Sequence, residues 1–338
     1  MRQETALDRA RVVLARMPYF KGVRLEDVGL EVLGGALTNI SCKVTTNVGA
    51  YVLRIAGKGT GEYVDRAAEG YNARMAAAAG VNAEILHFDA RDGTMLTRFV
   101  EGATMDGESF GPESDTPVRA ALALKRVHSM RGVFRSRFNG FGEIDSYLDL
   151  LRRLRMPLPE DYYEASREAE AARRALEMSP VPLVPCHNDP WPGNLLEAGG
   201  RIYIIDWEYS GMNDPVWDLG DLSVEAGFGP EQDRLMMETY YGGAAPAALY
   251  SRLEVYKATS DMHWALWGFV QHANGNPAED FWAYGLSRLE RCRARMGSVD
   301  FGQHLAAVSP GRRARSPKRA YRTSPERRTL IHKAPGNV

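Results

Sequence analysis

Two stretches, His187-Asn188-Asp189-Pro190-Trp191-Pro192-Gly193-Asn194 and Ile204-Ile205-Asp206-Trp207-Glu208, place acids and an amide at a spacing that can do chemistry. Asp189 and Asn194 form a D-x-x-x-x-N loop. In such a loop the carboxylate accepts a proton from a hydroxyl and the amide oxygen holds Mg²⁺. Asp206, at the end of an apolar run, offers a second hard oxygen ligand to the same ion. The three residues read as a phosphoryl-transfer centre, with Asp189 the catalytic base and Asn194 and Asp206 the metal ligands. A D-x-x-x-x-N match also describes many polar turns, so the elements around it must decide.

Those elements form a consistent order. Leu195-Leu196-Glu197 and Arg201-Ile202-Tyr203-Ile204-Ile205 flank Ala198-Gly199-Gly200, a hairpin pattern that would carry Asn194 and Asp206 to the same end of a strand pair. Upstream, apolar residues at helical spacing predict a helix over 4–17. Alternating segments predict strands at 30–33, 40–45, 51–55, 83–88 and 93–100, with one helix, 62–79, ending at Gly80. From about residue 115 the chain reads helical, over 117–130, 144–155, 159–178, 231–241, 246–273 and 277–296. The expectation is an α+β chain of two lobes: residues 1–101 a nucleotide-binding lobe with a small antiparallel sheet, residues 102–298 a larger helical lobe holding the catalytic hairpin, and residues 299–338 a basic tail without a fold of its own.

In the first lobe, Gly34-Gly35-Ala36-Leu37-Thr38-Asn39 lies between two strands. Glycines let backbone approach a ligand, and successive N–H groups cradle phosphate oxygens. Arg54 sits in the strand Tyr51-Val52-Leu53-Arg54-Ile55, where protein kinases use a lysine against the phosphates. Glu69, on the following helix, would pair with it. Taken singly, a Gly-Gly pair is a turn and an Arg or Glu is a solvated charge. In sequence order they match glycine loop, strand cation, helix acid and catalytic loop. Thr97-Arg98-Phe99-Val100 then enters the connection between lobes, where in a kinase-like chain backbone groups of Arg98 and Val100 would meet adenine.

These pieces, together with Ile205-Asp206-Trp207-Glu208-Tyr209-Ser210 and Asn213-Asp214-Pro215-Val216-Trp217-Asp218-Leu219-Gly220, resemble the choline/ethanolamine kinase family, within the wider aminoglycoside-phosphotransferase and protein-kinase-like superfamily. The resemblance covers about residues 28–295. It implies a protein-kinase-like fold, ATP and Mg²⁺ as cofactors, and transfer of the γ-phosphoryl group to choline. Gly34, Gly35, Leu37, Thr38, Asn39, Arg54, Glu69, Arg98 and Val100 would then serve the nucleotide. Tyr209, Glu225, Trp264 and Trp267 align with the aromatic cage and its acid, and Phe281 or Trp282 would add a wall. Trp264 and Trp267 share one helix face at i, i+3, a pattern that is usually plain helix core; their place in the resemblance favours the pocket. An aromatic cage suits a quaternary ammonium, because ring faces attract a cation without demanding hydrogen bonds. The resemblance gives Asp218 a supporting role, either capping a helix or hydrogen-bonding the catalytic loop. Glu208, two residues after Asp206, would reach the metal through water or orient a neighbour rather than bind it directly.

Bulk properties set limits. The 338 residues carry a net charge of −1, but residues 309–338 hold nine Lys/Arg against Glu326 alone, +8, which leaves −9 for residues 1–308. An acidic body suits a small cationic alcohol and argues against nucleic acid. Three scattered cysteines, Cys42, Cys186 and Cys292, predict a reducing compartment and no disulfide framework, and with no apolar signal core or membrane span the expectation is cytoplasmic. Ethanolamine, thiamine and aminoglycosides remain alternative acceptors, and a non-catalytic binding protein on the same fold is the reading from another class.

Overall fold

The computed structural model describes residues 2–35, 37–111 and 114–309. Residues 310–338, most of the expected basic tail, lie outside the described residues. The N-terminal lobe runs α1 (Arg2–Arg16), β1 (Gly29–Leu33), β2 (Ile40–Thr46), β3 (Gly49–Ile55), α2 (Arg66–Ala78), β4 (Ile85–Asp89) and β5 (Thr94–Arg98). Its strands form one antiparallel sheet in the order β1-β2-β3-β5-β4. Period-2 alternation sorts its side chains. Cys42, Val44, Tyr51, Leu53, Ile55 and Leu96 pack beneath Ala10 and Leu14 of α1, as one core. Arg54, one residue out of phase with Leu53 and Ile55, points to the other face and meets α2.

Helix α2 starts later than the sequence pattern suggests, because Asp65 caps it by accepting the N–H groups of Ala67 and Ala68. Gly80, at φ +70°, lets the chain leave it in the left-handed region.

The second lobe begins with β6 (Ala103–Thr104), α3 (Thr116–His128), α4 (Gly140–Arg153), α5 (Glu160–Glu177) and β7 (Val184–Cys186). The hairpin β8 (Leu195–Ala198) and β9 (Arg201–Ile204) follows, then β10 (Gly211–Asn213), α6 (Pro215–Glu225), α7 (Pro230–Tyr241), α8 (Ala247–Ala273), α9 (Phe281–Met296) and α10 (Phe301–Val308). Gly199 and Gly200, at φ +57° and +73°, make the tight turn between β8 and β9. The 27-residue helix α8 is buried on nearly every side from Ser251 to Gln271, so it is the axis of this lobe. Helices α4, α6, α9 and α10 pack around it.

The segment from residue 299 corrects the expected tail boundary. Phe301 and Val308 of α10 are buried in the main core, and Leu305 packs against that core. Their i, i+4, i+7 spacing makes a short amphipathic helix that the basic composition downstream obscured. Among the described residues, no helix is long and apolar enough to cross a membrane.

Candidate active site

The catalytic loop is held by its neighbours rather than by its own regularity. Asp218, inside α6, accepts the backbone N–H groups of His187 and Asn188 at 2.8 Å each. His128 of α3 holds the same carboxylate at 3.0 Å. This settles the role of Asp218 as support for the loop, since α6 is capped instead by Asp214, which accepts the N–H of Val216. Asn188 adopts φ +69°, and its side chain donates to the carbonyl of Tyr209 at 2.9 Å and accepts from Asn213 at 2.9 Å. Its own carbonyl accepts the indole N–H of Trp217 at 3.2 Å. These bonds hold Asn188 in a region that costs energy for a residue with a side chain, and such strain clusters at functional sites.

Asp189 is half-buried. The Asn194 amide donates to its carbonyl at 2.9 Å and to its carboxylate at 3.2 Å, leaving the amide oxygen of Asn194 free for a cation. The N–H of Ile205 donates to the carbonyl of Asn194 at 2.9 Å, so the hairpin does bring Asn194 beside Asp206. Asp206 lies at φ +61°. Burial, then the neighbouring carboxylates Asp221 and Asp206, hold the Asp189 carboxyl well above the usual range. Burial and then Glu208 push Asp206 up to about 7, against the pull of Arg54.

Arg54 is 7% exposed and lies among acids. It pairs with Glu69, with Asp206 at 2.8 Å, and with Glu208 at 3.6 Å. A second cation, Arg66 of α2, reaches Glu69 at 2.7 Å and Glu208 at 2.6 Å. Burial opposes the charge on Glu208, but Arg54 and Arg66 outweigh it and hold that carboxyl below its usual range. The sequence reading missed Arg66, although its i, i+3 spacing to Glu69 was visible. Ligand atoms of Glu69, Asp206 and Glu208 lie within 4.8 Å of one another. All-oxygen donors of this kind, with Asn194 beside them, fit Mg²⁺ better than a softer ion.

The glycine loop closes over this cluster. Gly35 is at φ +89°. Asn39 accepts the N–H of Gly57 at 3.1 Å and donates to Asp206 at 3.3 Å. Leu37 packs on the main core, and its carbonyl accepts from Asn276, just beyond α8. Gly34 and Thr38 belong to the same loop, Gly34 exposed and Thr38 half-buried. Arg98 turns its side chain out to Glu84 at 2.7 Å, and its N–H donates to the Glu84 carbonyl at 2.9 Å. Val100 follows, half-buried, at the start of the connection between lobes.

On the far side of Asp189 the lining becomes aromatic. Tyr209 meets Trp264 edge-to-face at 5.4 Å and stacks with Tyr63 at 6.4 Å. Trp264 meets Trp267 at 5.8 Å. Tyr63 and Tyr147, which the sequence reading did not single out, extend the same aromatic group at 5.9 Å. Phe281 has no exposed surface and lies 5.4 Å from Trp267, so it backs that ring from within the core. Trp282 packs instead on Phe269 and His272. Glu225 is drawn into an ion pair with Arg288 of α9.

The profile of the phosphotransferase enzyme family matches residues 29–256. The chain belongs to that family, in its choline/ethanolamine kinase branch. A choline/ethanolamine kinase family protein from Mesorhizobium loti is 45% identical, with a TM-score of 0.79 over 90% of this chain and 100% of that one. Choline kinase LicA from Streptococcus pneumoniae is 27% identical, with a TM-score of 0.73 over 86% of this chain and 99% of that one. The LicA protein of Haemophilus influenzae is 29% identical over 267 residues, 76% of each chain. The protein is therefore an ATP-dependent phosphotransferase with an alcohol acceptor, on a protein-kinase-like two-lobe fold.

Proposed function

We propose that the protein transfers the γ-phosphoryl group of MgATP to the hydroxyl of choline. One observation carries the choice of acceptor: the aromatic group Tyr209–Trp264–Trp267 stands beside the catalytic loop. Ring faces bind a quaternary ammonium well and a polyhydroxylated or polyamine substrate poorly.

Asp189 accepts the choline proton as the hydroxyl oxygen bonds to phosphorus and the β–γ bridging bond breaks, releasing ADP and phosphocholine. Arg54 and the glycine loop hold the phosphates. Asn194 and Asp206 would hold Mg²⁺, which would supply charge neutralisation for the phosphates. Glu69, itself held by Arg66, fixes Arg54 from behind, so Arg54 gives up Asp206 for a phosphate oxygen without leaving its place. Because the transition state is loose, positioning and charge provide most of the rate.

Ethanolamine is the second reading, favoured by the carboxyls behind the cage, since a primary ammonium donates hydrogen bonds. Competition under MgATP between choline, ethanolamine, thiamine and an aminoglycoside separates them. A dominant kcat/KM for choline supports the proposal, and a dominant value for any other alcohol replaces it.

A further inference from the structure

The acceptor half of the site contains a carboxyl not used by the mechanism above. Asp221 lies on α6, three residues after Asp218 and four before Glu225, on the helix face that runs from the catalytic loop towards α9. It is fully buried. Its Oδ1 accepts the Ser260 hydroxyl and, at 2.7 Å, the indole N–H of Trp264. Its Oδ2 has no hydrogen-bond partner.

The buried acids among the described residues are Glu69, Asp214, Asp218, Asp221, Asp233 and Asp261. Glu69 and Asp214 pair with arginines, Asp218 with His128, Asp233 with Lys257 and Asp261 with Arg288. Asp221 alone has no such partner among the described residues. An unpaired buried carboxylate is costly, so such a group either keeps its proton or gains a cation. Burial, then Glu225, push its carboxyl up to about 8.

We propose, on the reading that the acceptor is a cationic alcohol, that Asp221 is the counter-charge of the bound ammonium and acts through Trp264. It fixes the indole against Tyr209 and Trp267, and its charge behind the ring makes the ring face more attractive to a cation. It is a positioning and specificity residue, distinct from Glu225, whose charge is already taken by Arg288.

The groups facing Asp221 are Glu225 on its own helix, Asp189 of the catalytic loop, Ser260 and Trp264 of α8, with His263 packed on Trp264, and Tyr284 and Arg288 of α9. His263, pushed down to about 3 by burial and then Arg288, stays neutral at working pH. Choline keeps its charge at every pH. Its preference over a neutral alcohol should therefore rise with pH as Asp221 ionises.

The test compares choline with its uncharged isostere 3,3-dimethylbutan-1-ol, in the wild type, Asp221→Asn and Asp221→Glu, between about pH 6.5 and about pH 9, a range that spans the Asp221 ionisation. Asp221→Asn should cut kcat/KM for choline about tenfold, mostly through KM, while the isostere and MgATP change less than about twofold. Asp221→Glu should recover part of the choline preference. Equal losses for both alcohols would assign Asp221 a merely structural role and overturn the inference. So would a wild-type choline-to-isostere ratio that is flat with pH, a measurement that needs no variant. Turnover of neither alcohol, with MgATP still bound, would defeat the choline reading itself and the inference with it.

Discussion

The two walls of the cleft solve opposite electrostatic problems. On the nucleotide side, Arg54 and Arg66 interlock with Glu69, Asp206 and Glu208, so every charge has a partner before any ligand arrives. On the acceptor side, aromatic rings meet edge-to-face, and Asp221 makes no ion pair among the described residues and keeps one oxygen without a hydrogen bond. A dense anion with its metal must be taken up by exchanging partners, so the first wall is pre-neutralised. A bulky, weakly hydrated cation needs only a dry surface of the right potential, so the second wall is apolar with negative charge behind it.

Substitutions can break this contrast one wall at a time. The largest effect should come where the walls meet: Asp189→Ala should lower kcat by about 10²–10⁴-fold with both substrates still bound, as checked by steady-state kinetics and nucleotide binding. Arg54→Ala should come next. It raises KM for MgATP and leaves Glu69 and Glu208 facing each other with one cation fewer, which should cost about 3–5 kcal/mol in denaturant unfolding. Binding of choline alone, measured by calorimetry, should be nearly unchanged.

Trp267→Leu should do the reverse. Losing one ring face should raise KM for choline roughly 2- to 30-fold and leave KM for MgATP alone. If Trp267→Leu changes the nucleotide constant as much as the choline constant, the two walls are not separate devices. The smallest effect should follow Asn276→Ala, because that amide ties the Leu37 carbonyl of the glycine loop to the end of α8. Losing one such bond should raise both KM values together, each by about two- to tenfold.

The catalytic hairpin was legible because its signal is local. Gly199-Gly200 between two apolar runs fixes a tight turn, and the turn fixes where Asn194 and Asp206 fall. Arg54 and Glu69 were legible from order along the chain, and they do meet. Residues whose role comes from distant neighbours were not. Arg66 looks like any helix arginine until α2 folds over Glu208. Asp221 looks like a solvated acid until α8 covers it. Phe281 reads as a cage wall beside the aromatic helix, but the crossing of α8 and α9 buries it behind Trp267. Helix α10 was hidden by composition, because the basic stretch beyond it dominates any average taken over the C-terminus.

The most direct test of the central claim is phosphorus NMR of the purified protein with MgATP and choline, run beside Asp189→Ala. The account predicts that phosphocholine and ADP accumulate together in equal amounts, and that the variant forms both at least about 10²-fold more slowly. ADP and inorganic phosphate without phosphocholine, or phosphocholine formed equally well by Asp189→Ala, would contradict it.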